Sequence, residues 1–141
     1  MTDQKMTDQK MTNRTILVAD DEPFILRALT FVLNREGYRT VSARDGDEAV
    51  AMIRDSRPAL VFLDVMMPRK NGFDVCREIK SDPLTSDVHI ILLTAKGQES
   101  DRALGLAAGA DEYMTKPFSP SAVLARVREI LGSAQAGMTQ G

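Results

Sequence analysis

Two rhythms alternate along the chain. Short β-branched runs that end in polar residues are followed by amphipathic stretches in which apolar side chains recur every three or four positions. From Thr15 onward the alternation occurs five times, which predicts a parallel sheet with helices on both faces. The expected strands are 15–20 (TILVAD), 38–43 (YRTVSA), 59–64 (ALVFLD), 88–94 (VHIILLT) and 112–116 (EYMTK).

The intervening segments carry helix signals. Pro23 opens the first, with Phe24, Ala28, Phe31 and Val32 as its apolar positions and Gly37 as its stop. The second begins near Asp45-Gly46-Asp47-Glu48, carries Ala49, Val50 and Ile53 inward and halts before Pro58. The third runs over about 72–80, with Asp82-Pro83 marking the way out, and a weaker fourth covers about 98–108, where Gly105 lowers propensity and Gly109 gives a stop. In the last, Ser119 is the expected N-cap, Pro120 sits at N1, Val123, Val127, Ile130 and Leu131 share a face, and Gly132 ends the helix. Residues 1–13, with a tandem MTDQK, have nothing apolar enough to pack and are expected to be a disordered tail; 133–141 read as a flexible one. The domain expected between them spans 14–132.

Size and charge narrow the function. The sequence of 141 residues suits one core, and 18 basic against 20 acidic side chains leave a net charge of −2, too balanced to bind nucleic acid by electrostatics alone. No apolar run approaches the roughly 20 residues of a membrane helix, and the N-terminus lacks a secretion signal, so a cytoplasmic location is expected. Cys76 is the single cysteine and His89 the single histidine, which leaves no disulfide and no thiolate or paired-histidine metal site. Cys76 reads as a helix residue without chemistry, and His89 as a packed or edge residue of the fourth strand.

The polar ends of the apolar strands carry the chemistry. Asp20 and Asp21 follow the first strand, Asp64 ends the third, Thr94 the fourth and Lys116 the fifth. In open parallel sheets ligands bind beyond the carboxyl ends of the strands, where the winding direction reverses, so these residues converge. Three carboxylates together repel one another unless a cation neutralises them, and oxygen ligands without His or Cys favour Mg²⁺, which keeps coordination positions for phosphoryl oxygens. With the metal in place Asp64 can attack phosphorus, while Lys116 and the Thr94 hydroxyl meet the phosphoryl oxygens. Either Asp20 or Asp21 can also cap the helix that opens at Pro23. The pair Met66-Met67 reads as a loop that covers apolar surface.

Residues 14–132 resemble the receiver domain of two-component response regulators, through "ADDEP", "LDVMMPRKNG", "LLTAKG" and "GADEYMTKPFS" in that order. The resemblance implies a flavodoxin-like α/β fold with five parallel strands in order 2-1-3-4-5 and five helices. It implies phosphorylation of Asp64 by a histidine kinase or phosphotransfer protein, followed by loss of the phosphoryl group to water. It places Mg²⁺, for which Mn²⁺ can substitute, on Asp20, Asp21, Asp64 and the main-chain carbonyl of Met66. Thr94, the main chain of Ala95, and Lys116 match the phosphoryl-binding positions, Thr94 and Tyr113 the switch pair, and the Lys116-Pro117 bond is expected to be cis. Met66 and Lys96 are expected to tune phosphoryl lifetime by controlling water access.

The stretch "DRALGLAAGADEYMTKPFSPSAVLARV" is similar to receivers joined to winged-helix DNA-binding domains, which dimerise through the fourth helix, fifth strand and fifth helix. That surface carries Lys96, Arg102, Asp111, Glu112 and Arg126 here. Ten residues follow Leu131, so no output domain is expected within the chain; a stand-alone receiver with a downstream protein partner and a domain cut from a longer regulator both fit. The reading is a signalling switch rather than an enzyme acting on other substrates. An aspartate-nucleophile phosphohydrolase has a second acid two residues after the nucleophile, where this chain has Met66. An FMN carrier of the same topology has a glycine- and hydroxyl-rich phosphate loop where this chain has Asp20-Asp21-Glu22. A phosphorylation-independent pseudo-receiver is disfavoured because every position required for chemistry is filled.

Overall fold

The computed structural model describes residues 14–95 and 100–132. In chain order the elements are β1 (Ile16–Ala19), α1 (Pro23–Arg35), β2 (Thr40–Ala43), α2 (Gly46–Ser56), β3 (Leu60–Asp64), α3 (Gly72–Ser81), β4 (His89–Ala95), α4 (Ser100–Ala107), β5 (Glu112–Lys116) and α5 (Pro120–Leu131). The five strands form one sheet in the order β2-β1-β3-β4-β5, and every neighbouring pair is parallel. The winding reverses beside β1, so the crevice opens between the carboxyl ends of β1 and β3. The expected tails and Lys96 lie outside the described residues.

Strand alternation sorts the core into two layers. Leu17 and Ala19 of β1, Val61 and Leu63 of β3, and Ile90 and Leu92 of β4 point to one face and pack against Ala49, Val50 and Ile53 of α2 and Val75, Cys76 and Ile79 of α3. Ile16, Val18, Leu60, Phe62, Ile91 and Leu93 point the other way, against Leu26, Leu29 and Leu33 of α1 and Val123 and Val127 of α5. Both faces are covered, so β1 and β3 are buried along their whole length and read as continuous apolar runs.

On α1 the buried stripe is not the expected one. Phe24 is 84% exposed and Phe31 64% exposed, Ala28 faces solvent and Val32 is half-buried, whereas Leu26, Leu29 and Leu33 are buried. The helix is apolar around most of its circumference, so its spacing admits two stripes, and contact with the sheet and α5 selects the leucines. Tyr38 likewise precedes β2 instead of belonging to it. It is buried, and its hydroxyl donates to the Gly132 carbonyl at 2.8 Å, while the Arg14 guanidinium donates to the Leu131 carbonyl. His89 opens β4, an interior strand, and is half-buried beside Glu112, which also accepts from Arg126. Burial acts to raise the Glu112 carboxyl, but Arg126 and His89 overcome it and hold the carboxyl below its usual range.

No described helix is long and apolar enough to cross a membrane.

The two stripes of α1 give opposite expectations for truncation. Leu29→Ala should cost about 2–5 kcal/mol, and Phe31→Ala should stay within about 0.5 kcal/mol of the parent. Urea denaturation of the two variants measures this, and equal losses would contradict the assignment of the buried face.

Candidate functional site

The carboxyl ends of the strands bring together five of the residues singled out in the sequence. Asp20 follows β1 and is fully buried, Asp64 ends β3 at 5% exposure, and Thr94 in β4 is 1% exposed. Asp21 sits beside them on the solvent side. Carboxylate oxygens of Asp20, Asp21 and Asp64 all lie within 4.8 Å of one another. Lys116 reaches in from the end of β5, its Nζ 2.8 Å from Asp20 Oδ2, 3.4 Å from Asp64 Oδ1 and 3.8 Å from the exposed Glu22. The Lys116–Pro117 peptide bond is cis.

Backbone amides hold the two buried acids in place. Asp20 Oδ1 accepts from the Glu22 amide at 3.0 Å, and Asp64 Oδ1 accepts from the Met66 amide at 3.4 Å. Neither Asp20 nor Asp21 caps α1. The N-cap is Glu22, whose side chain makes no capping bond, and Asp20 instead divides its oxygens between the Glu22 amide and Lys116. Gly72, the first residue of α3, donates its amide to the Val65 carbonyl at 2.9 Å, and a β-carbon there would stand 2.5 Å from the Asp64 carbonyl oxygen. Only glycine lets α3 start so close to the Asp64 backbone.

Burial raises the Asp64 carboxyl to about 7, with the Asp20 charge adding to the effect and Lys116 and the Met66 amide opposing it. For Lys116, burial acts to lower the ammonium, but the contact with Asp20 and the charge of Asp64 outweigh it and the net shift is upward. One lysine therefore faces more negative charge than it can balance. Asp20 Oδ2 is buried, and the Lys116 ammonium 2.8 Å away is the one cation paired with it among the described residues. Three carboxylates gathered about one lysine make an all-oxygen donor set that fits a hard divalent cation.

The hydroxyl of Thr94 donates to the Tyr113 hydroxyl at 2.7 Å, and the Arg102 guanidinium lies 5.4 Å from the centre of the Tyr113 ring. Met66 is 66% exposed beside the site, whereas Met67 is buried in the core, so only the second methionine of the pair covers apolar surface. Cys76 is buried in α3, and burial pushes its thiol up to about 11, far from reactive. Three charges of the expected output surface, Asp111, Glu112 and Arg126, are engaged within the chain. Asp111 meets Lys80 and the Ile90 amide, each at 2.8 Å, and Glu112 meets Arg126 and His89. The contacts of Glu22 with Lys116 and of Arg102 with Tyr113 were not legible in the sequence, since each joins residues on separate elements with no spacing between them to read.

The model of the response regulator receiver domain matches residues 16–128, and the chain belongs to that family. It is 47% identical over 119 residues to the alkaline phosphatase synthesis transcriptional regulatory protein PhoP of Bacillus subtilis, covering 84% of this chain and 49% of that protein. To the DNA-binding response regulator MtrA of Mycolicibacterium smegmatis it is 49% identical over 113 residues, covering 80% of this chain and 48% of that protein. The chain thus spans about half the length of the curated relatives it matches. Among solved structures, the receiver domain of a signal transduction histidine kinase from Syntrophus aciditrophicus superposes with a TM-score of 0.77 at 34% identity, over 83% of this chain and 89% of that one. The chemotaxis protein CheY4 of Vibrio cholerae also gives 0.77, at 28% identity, over 83% of this chain and 98% of its own. This is a receiver domain of the two-component response regulators, which act as signalling switches.

The raised Asp64 value fixes the sign of a pH effect on the metal-free protein. The folded state holds this proton more tightly than the unfolded chain, whose aspartates titrate near pH 4, so the stabilisation is complete below about pH 4 and is lost as pH rises through about 7. Asp64→Asn cannot ionise and escapes that loss. In chelator, urea denaturation should show the variant gaining on the parent as pH rises from about 4 to about 8; a difference that does not change with pH would contradict the shift.

Proposed function

We propose that the chain is a phosphorylation-controlled switch that takes a phosphoryl group from phosphohistidine onto Asp64, and later loses it to water. The observation that carries this reading is the meeting of three carboxylates and Lys116 at the carboxyl ends of β1, β3 and β5, with Asp64 at the centre. The donor is a histidine kinase or a histidine phosphotransfer protein. An Asp64 oxygen attacks phosphorus, the phosphorus–nitrogen bond breaks, and the imidazole leaves with that electron pair. Asp64 must be ionised to attack, so whatever lowers its carboxyl toward the ordinary range prepares the nucleophile.

Asp20, Asp21, Asp64 and the Met66 carbonyl are the ligands assigned to Mg²⁺ or Mn²⁺, which supplies positive charge against the phosphoryl oxygens. Lys116 turns its ammonium from Asp20 toward a phosphoryl oxygen, and Thr94 and the Ala95 main chain bond the others. Phosphorylation replaces the Asp64 carboxylate with an acyl phosphate that carries about −1.5 to −2 charge, and it draws the Thr94 hydroxyl off Tyr113, whose ring then has a new position to occupy. The bond between Thr94 and Tyr113 thus links the reaction to the α4–β5–α5 surface. Inverting a 1:99 population requires that the phosphoryl group favour the active form by about 5.5 kcal/mol.

The output is protein contact. Leu104 and Leu106 of α4 are 53% and 56% exposed, and they offer apolar area for a phosphorylation-dependent homodimer through α4–β5–α5 or for a downstream partner. No direct contact with nucleic acid is assigned to this domain. Light scattering under phosphorylating conditions should show the mass rise toward a dimer, and unchanged monomers would remove the dimer from the proposal.

Incubation with acetyl phosphate and Mg²⁺ should add one phosphoryl mass to the intact protein. Asp64→Asn should add none, and chelator should abolish the gain. A parent that stays unmodified, or an Asp64→Asn variant modified equally, would overturn the mechanism.

A further inference from the structure

The loop between β3 and α3 carries strain. Arg69 has φ of 72°, a left-handed value that a side chain with a β-carbon rarely adopts. Around it the Lys70 amide donates to the Pro68 carbonyl at 2.9 Å, closing a three-residue turn of the rarer, strained kind. Such a conformation persists only where its surroundings impose it.

The surroundings come from the start of α2. The Gly46 amide donates to the same Pro68 carbonyl at 3.2 Å, and Gly46 is buried beneath the turn. A β-carbon on Gly46 would stand 2.1 Å from the Lys70 carbonyl oxygen, 2.4 Å from its Cβ and 2.7 Å from its carbonyl carbon. Two of these three atoms are main chain, so a side chain here must move the loop itself. The neighbouring residue adds to the seat: Asp45 caps α2 by accepting from the Glu48 amide at 2.8 Å, and its other oxygen lies 3.7 Å from the Arg69 guanidinium. On the far side Lys70 pairs with Glu78 of α3, which is 3.2 Å from Arg54 of α2. The loop is therefore clamped between α2 and α3, and its first residues, Val65 and Met66, run directly on from Asp64.

We propose that Gly46 is a positioning residue for the chemistry at Asp64. Acting through Pro68 and Lys70, it sets the main-chain path of residues 66–70 and with it the direction of the Met66 carbonyl toward a divalent cation. The inference rests on the reading of Asp64 and Met66 given above. A loop seated differently would misplace the main-chain ligand and draw the Met66 amide off the Asp64 carboxylate, so the loss falls on metal binding before it falls on the fold.

The test is Mn²⁺ binding by the intact chain, read by electron paramagnetic resonance. Gly46→Ala should bind Mn²⁺ about tenfold more weakly than the parent, the scale set by substitutions that support metal ligands from behind. Ile53→Val, which trims the core beneath the same helix without touching the loop, should lower the melting temperature and leave Mn²⁺ affinity unchanged. Parental affinity in Gly46→Ala overturns the proposal, and so does equal weakening in Ile53→Val, since the effect would then follow stability. Should Gly46→Ala fail to fold, a Mg²⁺ titration of the ¹⁵N-labelled parent decides: the Gly46 and Lys70 amides should saturate with the same constant as those of Asp64 and Met66, and amides that do not respond overturn it. A parent that binds no Mn²⁺ defeats the reading of the site and this inference with it; a binding parent with an unaffected Gly46→Ala defeats this inference alone.

Discussion

Asp20 and Asp64 lie almost dry at the mouth of the sheet, and two like charges so placed can stay ionised only if positive charge reaches them. Lys116 comes from the far end of the sheet to supply part of it, and the raised carboxyl of Asp64 shows that the part is not the whole. The remaining demand is what, on the proposed reading, turns a structural liability into a reactive centre. A site satisfied by its own side chains would have no appetite for a cation or for a phosphoryl group that brings its own hydrogen-bond acceptors.

The fold exists to make that crowding tolerable. β1 and β3 are buried on both faces, so their ends are rigid, and the reversal of winding between them opens the one place where buried strand ends meet solvent. Gly72 lets α3 begin against the Asp64 backbone, and Gly46 lets α2 press on the loop in between. The bond between Thr94 and Tyr113 joins a buried hydroxyl at the centre to an aromatic ring that Arg102 covers from α4, and in the proposed switch it is this bond that would carry the state of the site outward.

Much of this was legible in the chain as written. The five apolar runs place the strand ends to within one residue, except that the second strand begins two residues later than expected. Asp20, Asp64, Thr94 and Lys116 were conspicuous because each interrupts an apolar run at its end. The misreadings have a common cause, which is that a sequence shows which residues are apolar but not which neighbours compete for them. In α1 nearly every position is apolar, so Phe24 and Phe31 looked as able to face inward as Leu26, Leu29 and Leu33. Met66 and Met67 looked alike, though only the second reaches the core. Asp20 looked like a helix cap because the attraction of Lys116, almost a hundred residues away, leaves no local trace. Gly46 read as an ordinary helix start for the same reason, since the loop it touches belongs to another element.

The central claim is that the aspartate cluster is held short of positive charge and that a divalent cation makes up the difference. Carbon-13 resonance of the Asp64 carboxyl, followed through a pH titration with and without saturating Mg²⁺, tests it directly. Without metal the carboxyl should titrate near 7, and with metal it should fall to or below the ordinary aspartate range near 4. Titration at the same pH in both conditions would contradict the account.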